Sequence, residues 1–400
     1  MKYKHLNLKY ACINAAYLML ICATAGYAYN FLSQSGFGDS ATGIIITLIS
    51  VCGLVSQTAF GSIIDKSEKL DEKKFISITM IVTIITSALL LVLPEGNILT
   101  VIVSIIAFTS ASAGMPFLNS MAFIYEKDGA SINYGLGRGV GSAAYAVGSA
   151  LLGQLWALAG RTIFPIYIIA FSIATLLLVQ IMPAAPKIES DESGVVQESL
   201  SYGAFFNKYK KIIIPVLSMV LIYFAHMILN TYIAKVIGNI IGPEASSIEG
   251  TVEGFQGTAL FIQAMCELPT MFAFGFILKK FSINKLMCIA VVFYSIKHIL
   301  VAFCPNMYVF YFIMVLQMFS YAILVPGGVY LANEIVAPED RNKGQAVVGV
   351  TATVGGLLAS LIGGQLFTFM PVTTVMILGA AITVAGTVLM FIGVGTLKKS

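Results

Sequence analysis

The chain has 400 residues, of which 58% are hydrophobic and 10% carry a charged side chain. Soluble domains usually contain about 25% charged residues, so this composition excludes a soluble globular enzyme and indicates a protein embedded in membrane lipid. The formal net charge of +4 is small. We attribute it to basic loops at the membrane surface, and we expect no nucleic-acid partner.

Twelve apolar segments follow one another along the chain. Each is long enough to cross a hydrocarbon core of about 30 Å, which needs roughly 20 helical residues. They predict an all-α membrane protein with twelve transmembrane helices. The predicted spans are 9–33, 38–63, 75–94, 97–125, 134–158, 161–183, 210–238, 251–278, 284–304, 306–333, 343–369 and 371–397.

The basic residues between these spans predict the orientation. If the N-terminus lies inside, nearly all loop lysines and arginines fall on the cytoplasmic side, and the opposite side receives only Arg161 and Lys235. Short loops rich in Lys and Arg remain cytoplasmic. We therefore expect both termini in the cytoplasm and the chain in the plasma membrane, which is the cytoplasmic membrane if the source is bacterial.

A polar stretch at 183–198 divides the spans six and six. We accordingly predict an N-terminal six-helix bundle at 1–185, a cytoplasmic linker at 186–208 and a C-terminal six-helix bundle at 209–400. The two halves also share sequence marks in similar places. "GSALLGQL" ending at Leu155 corresponds to "ASLIGGQL" ending at Leu366, and "FGSIIDK" from Phe60 corresponds to "FGFILKK" from Phe274.

These marks indicate a duplicated unit. Because each half has an even number of spans, the two copies share one orientation and are related by an axis along the membrane normal. Membrane transporters built in this way bind substrate near the midplane and work by alternating access, as one half rocks against the other.

Three charged residues stand well inside the apolar part of predicted spans: Arg138, Glu267 and Lys297. A charge at the bilayer centre costs about 2.5 to 3.5 kcal/mol on insertion scales, so such residues usually face a water-filled cavity or a partner. Each also has a structural interpretation. Arg138 is near enough to its helix start to extend to the cytoplasm, Glu267 could be a neutral carboxyl bonded within the bundle, and Lys297 could pair with backbone oxygen.

Neutral polar and aromatic side chains inside the spans are further candidates for contacts with a sugar-like ligand, although each could instead bond a neighbouring helix. His298 has a side chain whose ordinary pKa suits proton transfer, and a buried, hydrogen-bonded histidine is the alternative. The polar and aromatic candidates for substrate contact are Asn119, Asn230, Gln263, Gln317, Tyr27 and Tyr145.

Other chemistry has no support in the sequence. It contains no P-loop GxxxxGK[ST], no HExxH and no paired CxxC motif, so neither an ATP-driven pump nor a membrane metalloprotease is indicated. We expect no enzymatic activity, no metal and no cofactor. The energy for transport would come from an ion gradient, a proton gradient by preference, or from the solute's own gradient.

Four stretches resemble the lactose permease-like, oligosaccharide:proton symporter branch of the major facilitator superfamily. "DSATGIIITLISVCGLVSQTAFGSIIDK" from Asp39 is similar to that family's helix two, and "YGLGRGVGSAAYAVGSALLG" from Tyr134 to its helix five. "MCELP" from Met265 is similar to helix eight and "YSIKHI" from Tyr294 to helix nine. The resemblance runs through most of the chain at low identity.

The resemblance implies roles for individual residues. Arg138 falls on the family's sugar-binding arginine and Tyr145 on a tryptophan that stacks against the sugar. Glu267 falls on a carboxylate that bonds sugar and takes part in coupling, and Lys297 on an arginine needed for proton release. In the loop after helix two, Gly61 and Asp65 match a motif of the superfamily that controls conformation.

The sequence departs from the family pattern at several positions. Gln317 and Ser320 stand where the family has a histidine and the proton-carrying glutamate, which puts that route of proton coupling in doubt. Asn119 lies where helix four carries a sugar-binding glutamate, and Glu68 replaces a glycine of the loop motif.

From these observations we predict a monomeric secondary transporter that imports a small polar solute, most simply a sugar or glycoside, by proton symport. The proton-coupling candidates are Glu267, Lys297 and His298. Two alternatives stay open. One is a uniporter or symporter of an aromatic acid or a nucleoside, and the other is a nutrient sensor that has lost transport.

Overall fold

The computed structural model describes residues 5–66, 70–125, 129–183 and 201–397, apart from the side chains of Asp65 and Lys66. These residues are helical, with short turns between helices and no strand among them. Twelve of the helical segments are long and apolar enough to cross a membrane. The predicted class, an all-α membrane protein with twelve spans, is confirmed.

Eight helices precede the predicted linker. They are α1 (Leu6–Gly26), α2 (Ala28–Gln34), α3 (Asp39–Lys66), α4 (Glu72–Leu90), α5 (Ile98–Ala113), α6 (Met115–Ile124), α7 (Tyr134–Ala159) and α8 (Ile163–Gln180).

Helix α9 (Tyr202–Lys208) lies at the end of the predicted linker. The described residues after it form eight more helices, which are α10 (Ile213–Thr231), α11 (Ile233–Ser246), α12 (Thr251–Leu278), α13 (Ile283–Ala302), α14 (Met307–Val315), α15 (Tyr321–Ile335), α16 (Arg341–Phe369) and α17 (Val372–Leu397).

Several predicted spans are interrupted. The first is divided at Tyr27, the fourth at Gly114, and the tenth by a 3-10 turn at Leu316–Met318. Pro116 explains the fourth, because proline lacks a backbone N–H and clashes with the carbonyl four residues earlier, and it lies in the first turn of the new helix. The apolar pattern continues through the other breaks and gives no sign of them.

The predicted linker is described only at its end, since residues 184–200 lie outside the described part of the chain. There α9 is held by Asp340, whose Oδ2 accepts hydrogen bonds from Lys208 Nζ at 2.8 Å and from the Tyr209 hydroxyl at 2.7 Å. The hydrogen bond to Asp340 raises the pKa of Lys208, so this amine stays protonated throughout the physiological pH range.

The chain forms two compact units. The first comprises Met1–Ile188 and Ile241–Ala264, and the second comprises Glu189–Ile240 and Met265–Ser400. Helix α12 therefore contributes its first half to one unit and its second half to the other.

In the first unit, α1 packs against α7 and α8, and α4 packs against α5 and α8. Glycines allow the closest of these contacts. A Cβ on Gly137 would lie 2.3 Å from the ring of Tyr10, and one on Gly141 would lie 3.3 Å from the backbone oxygen of Asn14. These glycines therefore let the backbones of α1 and α7 approach closely, as small residues do between membrane helices.

In the second unit, α10 packs against α16 and α17, and α13 packs against α15 and α17. Helix α16 carries the corresponding small residues. A Cβ on Gly355 would lie 2.7 Å from the Tyr223 side chain and 2.8 Å from the backbone nitrogen of Phe224. The α10–α16 contact thus repeats the α1–α7 contact of the first unit.

Candidate functional site

The second unit holds a chain of three hydrogen-bonded side chains within its apolar spans. Lys297 on α13 donates from Nζ to Oε1 of Gln317 at 2.6 Å. Gln317 donates in turn from Nε2 to Oε1 of Glu267 on α12 at 2.9 Å. The Lys297 side chain is 0% exposed. The sequence-predicted amine and carboxyl are thus joined through an amide, instead of forming a direct ion pair.

A break in the tenth span positions Gln317. Helix α14 ends at Val315, the 3-10 turn Leu316–Met318 follows, and α15 starts at Tyr321. The Ser320 hydroxyl donates to the backbone oxygen of Leu316 at 3.0 Å, which supports the turn. Short 3-10 segments inside a longer helix often mark functional hinges.

The side chain of Gln317 suits its place between opposite charges. A carboxamide offers an oxygen that accepts and a nitrogen that donates, so one end faces the Lys297 amine and the other the Glu267 carboxyl. A carboxamide neither gains nor loses a proton near neutral pH, whereas a histidine in the same place would. The bridge therefore orders the two charged residues without providing a titrating group of its own.

Aromatic side chains form a second cluster in this unit. The ring of His226 stacks on Tyr321 with centroids 5.1 Å apart, and it meets Tyr294 edge-on at 5.4 Å. The predicted residue Asn230 contacts the same histidine, with Nδ2 3.1 Å from the ring nitrogen Nε2. His226 itself is buried, whereas Asn230 and Tyr321 are half-buried.

His298 does not join the chain of Lys297, Gln317 and Glu267. It directly follows Lys297, so its side chain leaves α13 about 100° around the helix. The ring Nδ1 lies 2.9 Å from the backbone oxygen of Tyr294, and the ring is buried.

Arg138 lies in the second turn of α7 in the first unit and is half-buried. Within the described part of the chain, its guanidinium donates from Nη1 to the Met115 sulfur at 3.6 Å, and no described carboxylate forms an ion pair with it. Asn119 lies one helical turn beyond Met115 on α6, and its buried Oδ1 has no hydrogen-bond partner.

The other predicted residues of the first unit have different surroundings. Tyr27 is fully buried and donates from its hydroxyl to the backbone oxygen of Ser149 at 2.7 Å, which ties α1 to α7. Tyr145 is half-buried, with its hydroxyl beside Gly26. Gln263 is buried on α12.

The predicted loop residues are described only in part. Gly61 lies on α3, where a Cβ would have no described atom within 4 Å, so close packing does not require glycine there. The side chain of Asp65 lies outside the described residues.

A buried polar cluster in the first unit was not predicted. Glu253 accepts hydrogen bonds at Oε1 from Asn30 Nδ2 at 2.8 Å and from Gln34 Nε2 at 3.0 Å, and Asn30 also donates to Gln256 at 2.9 Å. Glu253 is 3% exposed. Glu253 lies in the first turn of α12, where a polar residue at the end of a membrane span is ordinary. Asn30 and Glu253 are 223 positions apart in the sequence, so no local sequence pattern indicates that they pair.

Comparison with known proteins identifies the class. Residues 11–377 match the MFS_1 like family. No curated protein sequence matches the chain.

Solved structures share the fold. A point mutant of the nucleoside transporter NupG superposes with a TM-score of 0.81 at 16% identity, covering 97% of this chain and 100% of that one. A bacterial homologue of the human lysosomal transporter Spinster gives 0.70 at 13% identity, covering 100% and 98%. A bacterial homologue of the iron transporter ferroportin gives 0.69 at 13% identity, covering 97% and 98%.

The family match spans most of the chain, and these structures are all transporters, which confirms the expected superfamily and the expectation that the protein is not an enzyme. The chain belongs to the MFS_1 like family and is an integral membrane transporter of the major facilitator superfamily.

Proposed function

We propose that the protein imports a small hydroxylated solute, a sugar or glycoside, by proton symport. The observation that carries this proposal is the chain from Lys297 through Gln317 to Glu267, which lies inside apolar spans at distances of 2.6 and 2.9 Å. Placing charged groups inside a membrane span costs free energy, and the charged groups found there usually mark substrate or ion pathways.

Glu267 is the proposed substrate-binding carboxyl. An ionised carboxylate has two oxygens with about four acceptor sites, and Gln317 occupies one of them. The remaining sites suit the hydroxyl groups of a sugar, because hydrogen bonds to an ionised acceptor are shorter and stronger than those between neutral groups.

Glu267 is also the proposed proton carrier. Gln317 does not titrate as a histidine would, so the titratable groups of the chain are the Glu267 carboxyl and the Lys297 amine. We assign the transported proton to the carboxyl, with Lys297 as the charge that responds to it. When Glu267 is ionised, Gln317 links it to the positive charge of Lys297. When it is protonated, the pull on the amide weakens and the chain can rearrange, which would join proton movement to substrate movement.

In the first unit, Arg138 is the proposed substrate-binding residue. It lacks a carboxylate partner within the described residues, and its recorded contact is with a thioether, which is a weak acceptor. The guanidinium is therefore able to donate to ligand oxygens. Tyr145 and Asn119 are proposed to contact the same ligand.

A nucleoside is the second candidate substrate. The stacked pair of His226 and Tyr321, centroids 5.1 Å apart, supports it because a heteroaromatic base would extend such a stack. The similarity to the nucleoside transporter NupG supports it as well. A nucleoside is itself an N-glycoside, so the same hydroxyl contacts would serve its ribose.

Uptake into proteoliposomes tests both candidates. Radiolabelled sugars, nucleosides and aromatic acids are offered with and without an inward proton gradient, and Glu267→Gln serves as the inactive variant. We expect one sugar or nucleoside to accumulate only with the gradient. Uptake that ignores the gradient would overturn symport and leave facilitated transport. Uptake of acids alone would overturn the hydroxylated solute.

A further inference from the structure

The polar cluster around Glu253 lies at the end of the first unit opposite the N-terminus of α1. The amides of Asn30 and Gln34, both on α2, converge on one carboxyl oxygen of Glu253 at 2.8 and 3.0 Å. Gln256 completes the cluster by donating from Nε2 to the backbone oxygen of Gly26 at 2.6 Å. Asn30, Glu253 and Gln256 are each at most 3% exposed.

Backbones approach closely beside this cluster. A Cβ on Gly153 of α7 would lie 2.4 Å from the backbone oxygen of Glu253, and one on Gly257 of α12 would lie 2.7 Å from the backbone oxygen of Ser149. A Cβ on Gly250 would lie 2.4 Å from the Cα of Ala157. These glycines therefore let the backbones of α7 and α12 approach closely beside the cluster.

Asn30, Glu253 and Gln256 are buried beside this crossing. A carboxyl withdrawn from water loses several kcal/mol of hydration unless other groups satisfy its oxygens. Here the donors come from α2, a different helix from the one that carries Glu253. The carboxyl is thus stabilised only while the start of α12 stays packed against α1, α2 and α7.

We propose that Glu253, Asn30, Gln34 and Gln256 form a latch that closes this end of the transporter and opens once in each transport cycle. The positive-inside interpretation of the loops places this end outside the cell. The proposal rests on the alternating access of a transporter and is independent of which solute is moved.

Helix α12 joins this latch to the proposed binding carboxyl. Glu253, Gln256, Gln263 and Glu267 all lie on it at helical spacing, which gives one polar stripe along the helix.

Cysteine labelling tests the latch without any substrate. Leu260 of α12 is 5% exposed and its Cδ1 lies against Gly26 of α1, so a Leu260→Cys reporter is sealed while the start of α12 stays packed on α1. The reporter is built into a chain whose six native cysteines are replaced by serine, and labelling from outside uses a membrane-impermeant maleimide. Asn30→Ala and Glu253→Ala are each expected to raise the labelling rate about tenfold or more, which corresponds to about 1.4 kcal/mol.

Three variants make the test decisive. Glu253→Gln keeps the acceptor oxygen and is expected to label nearly as slowly as the reporter alone. Gln154→Ala removes a different contact between α7 and α12, the hydrogen bond from Gln154 Nε2 to the Gly254 backbone oxygen at 3.3 Å. This variant is also expected to label nearly as slowly as the reporter alone. The double variant Asn30→Ala, Glu253→Ala is expected to match the singles, because all three break one latch.

Equal labelling of Glu253→Gln and Glu253→Ala would overturn the proposal, as would slow labelling of Asn30→Ala. Rapid labelling of Gln154→Ala would also overturn it, since any loosening of the crossing would then suffice. None of these outcomes depends on uptake, so a failed sugar or nucleoside assay leaves the latch intact, and a failed latch leaves the proposed substrate intact.

Discussion

Tyr27 donates a hydrogen bond from its hydroxyl to the backbone oxygen of Ser149 at 2.7 Å. The second unit repeats the arrangement, with Tyr232 donating to the backbone oxygen of Ser360 at 2.6 Å. In both cases the tyrosine ends the first long helix of its bundle, and the acceptor lies on the glycine-rich helix that packs against it. The duplication indicated by short sequence matches thus extends to individual hydrogen bonds.

Replacing either tyrosine with phenylalanine tests these bonds. Tyr27→Phe and Tyr232→Phe each remove one hydroxyl and leave the ring in place, so each is expected to lower the free energy of unfolding by about 1 kcal/mol. The thermal unfolding midpoint in detergent measures this. Tyr308→Phe, at a side chain that is 87% exposed, is the matched control. A fall as large for Tyr308→Phe would show that the bonds contribute nothing specific.

Arg138→Ala separates substrate binding from simple extension toward the cytoplasm. If the guanidinium binds the solute, uptake is expected to fall at least tenfold, since a charge-assisted hydrogen bond contributes about 1.5 to 3 kcal/mol. Insertion and unfolding temperature are expected to stay normal, because no described carboxylate depends on Arg138. Normal uptake by Arg138→Ala would show that the guanidinium only extends to cytoplasmic water and does not bind the solute.

The sequence predicts much of this structure because membrane spans are governed by length and apolarity. All twelve spans were predictable, since a continuous apolar run of about 20 residues has few other stable conformations in lipid. The breaks at Tyr27 and at Leu316–Met318 were not, because helix interruption there leaves the apolar pattern unchanged. Only Pro116 gave a local signal for the break beside it.

The sequence predicts the charged residues of the candidate site that lie well inside spans, but not the roles of Gln317 and Glu253. Arg138, Glu267 and Lys297 stand out because a charge inside a span is costly. Gln317 bridges Lys297 and Glu267 because the turn at Leu316–Met318 places its amide between two helices. No pattern in a single sequence predicts that turn. Glu253 was missed because a carboxyl in the first turn of a helix is ordinary, and its burial comes from contacts with residues about 220 positions away.

The hydrogen bond from Lys297 to Gln317 leads to a prediction in which a second substitution restores stability. Gln317→Leu leaves the fully buried Lys297 amine without its acceptor, and leaving a buried donor unsatisfied costs about 1 to 3 kcal/mol, and more when the donor is charged. Adding Lys297→Met removes the stranded amine. The double variant is therefore expected to unfold at a higher temperature than Gln317→Leu alone, although both are expected to lose uptake. A double variant less stable than the single would show that Lys297 is not held by this amide.

The glycines of α16 allow a test within one helix. Gly355 lies against Tyr223 and the backbone of Phe224, where a Cβ would approach to 2.7 and 2.8 Å, whereas a Cβ on Gly349 would have no described atom within 4 Å. Alanine favours a helix by about 1 kcal/mol over glycine, so Gly349→Ala is expected to leave the unfolding midpoint unchanged or raise it slightly. Gly355→Ala is expected to lower it, because helix α10 must move away and overpacking typically costs about 1 to 3 kcal/mol. If both variants raise the midpoint equally, the close approach of α10 and α16 does not contribute to stability.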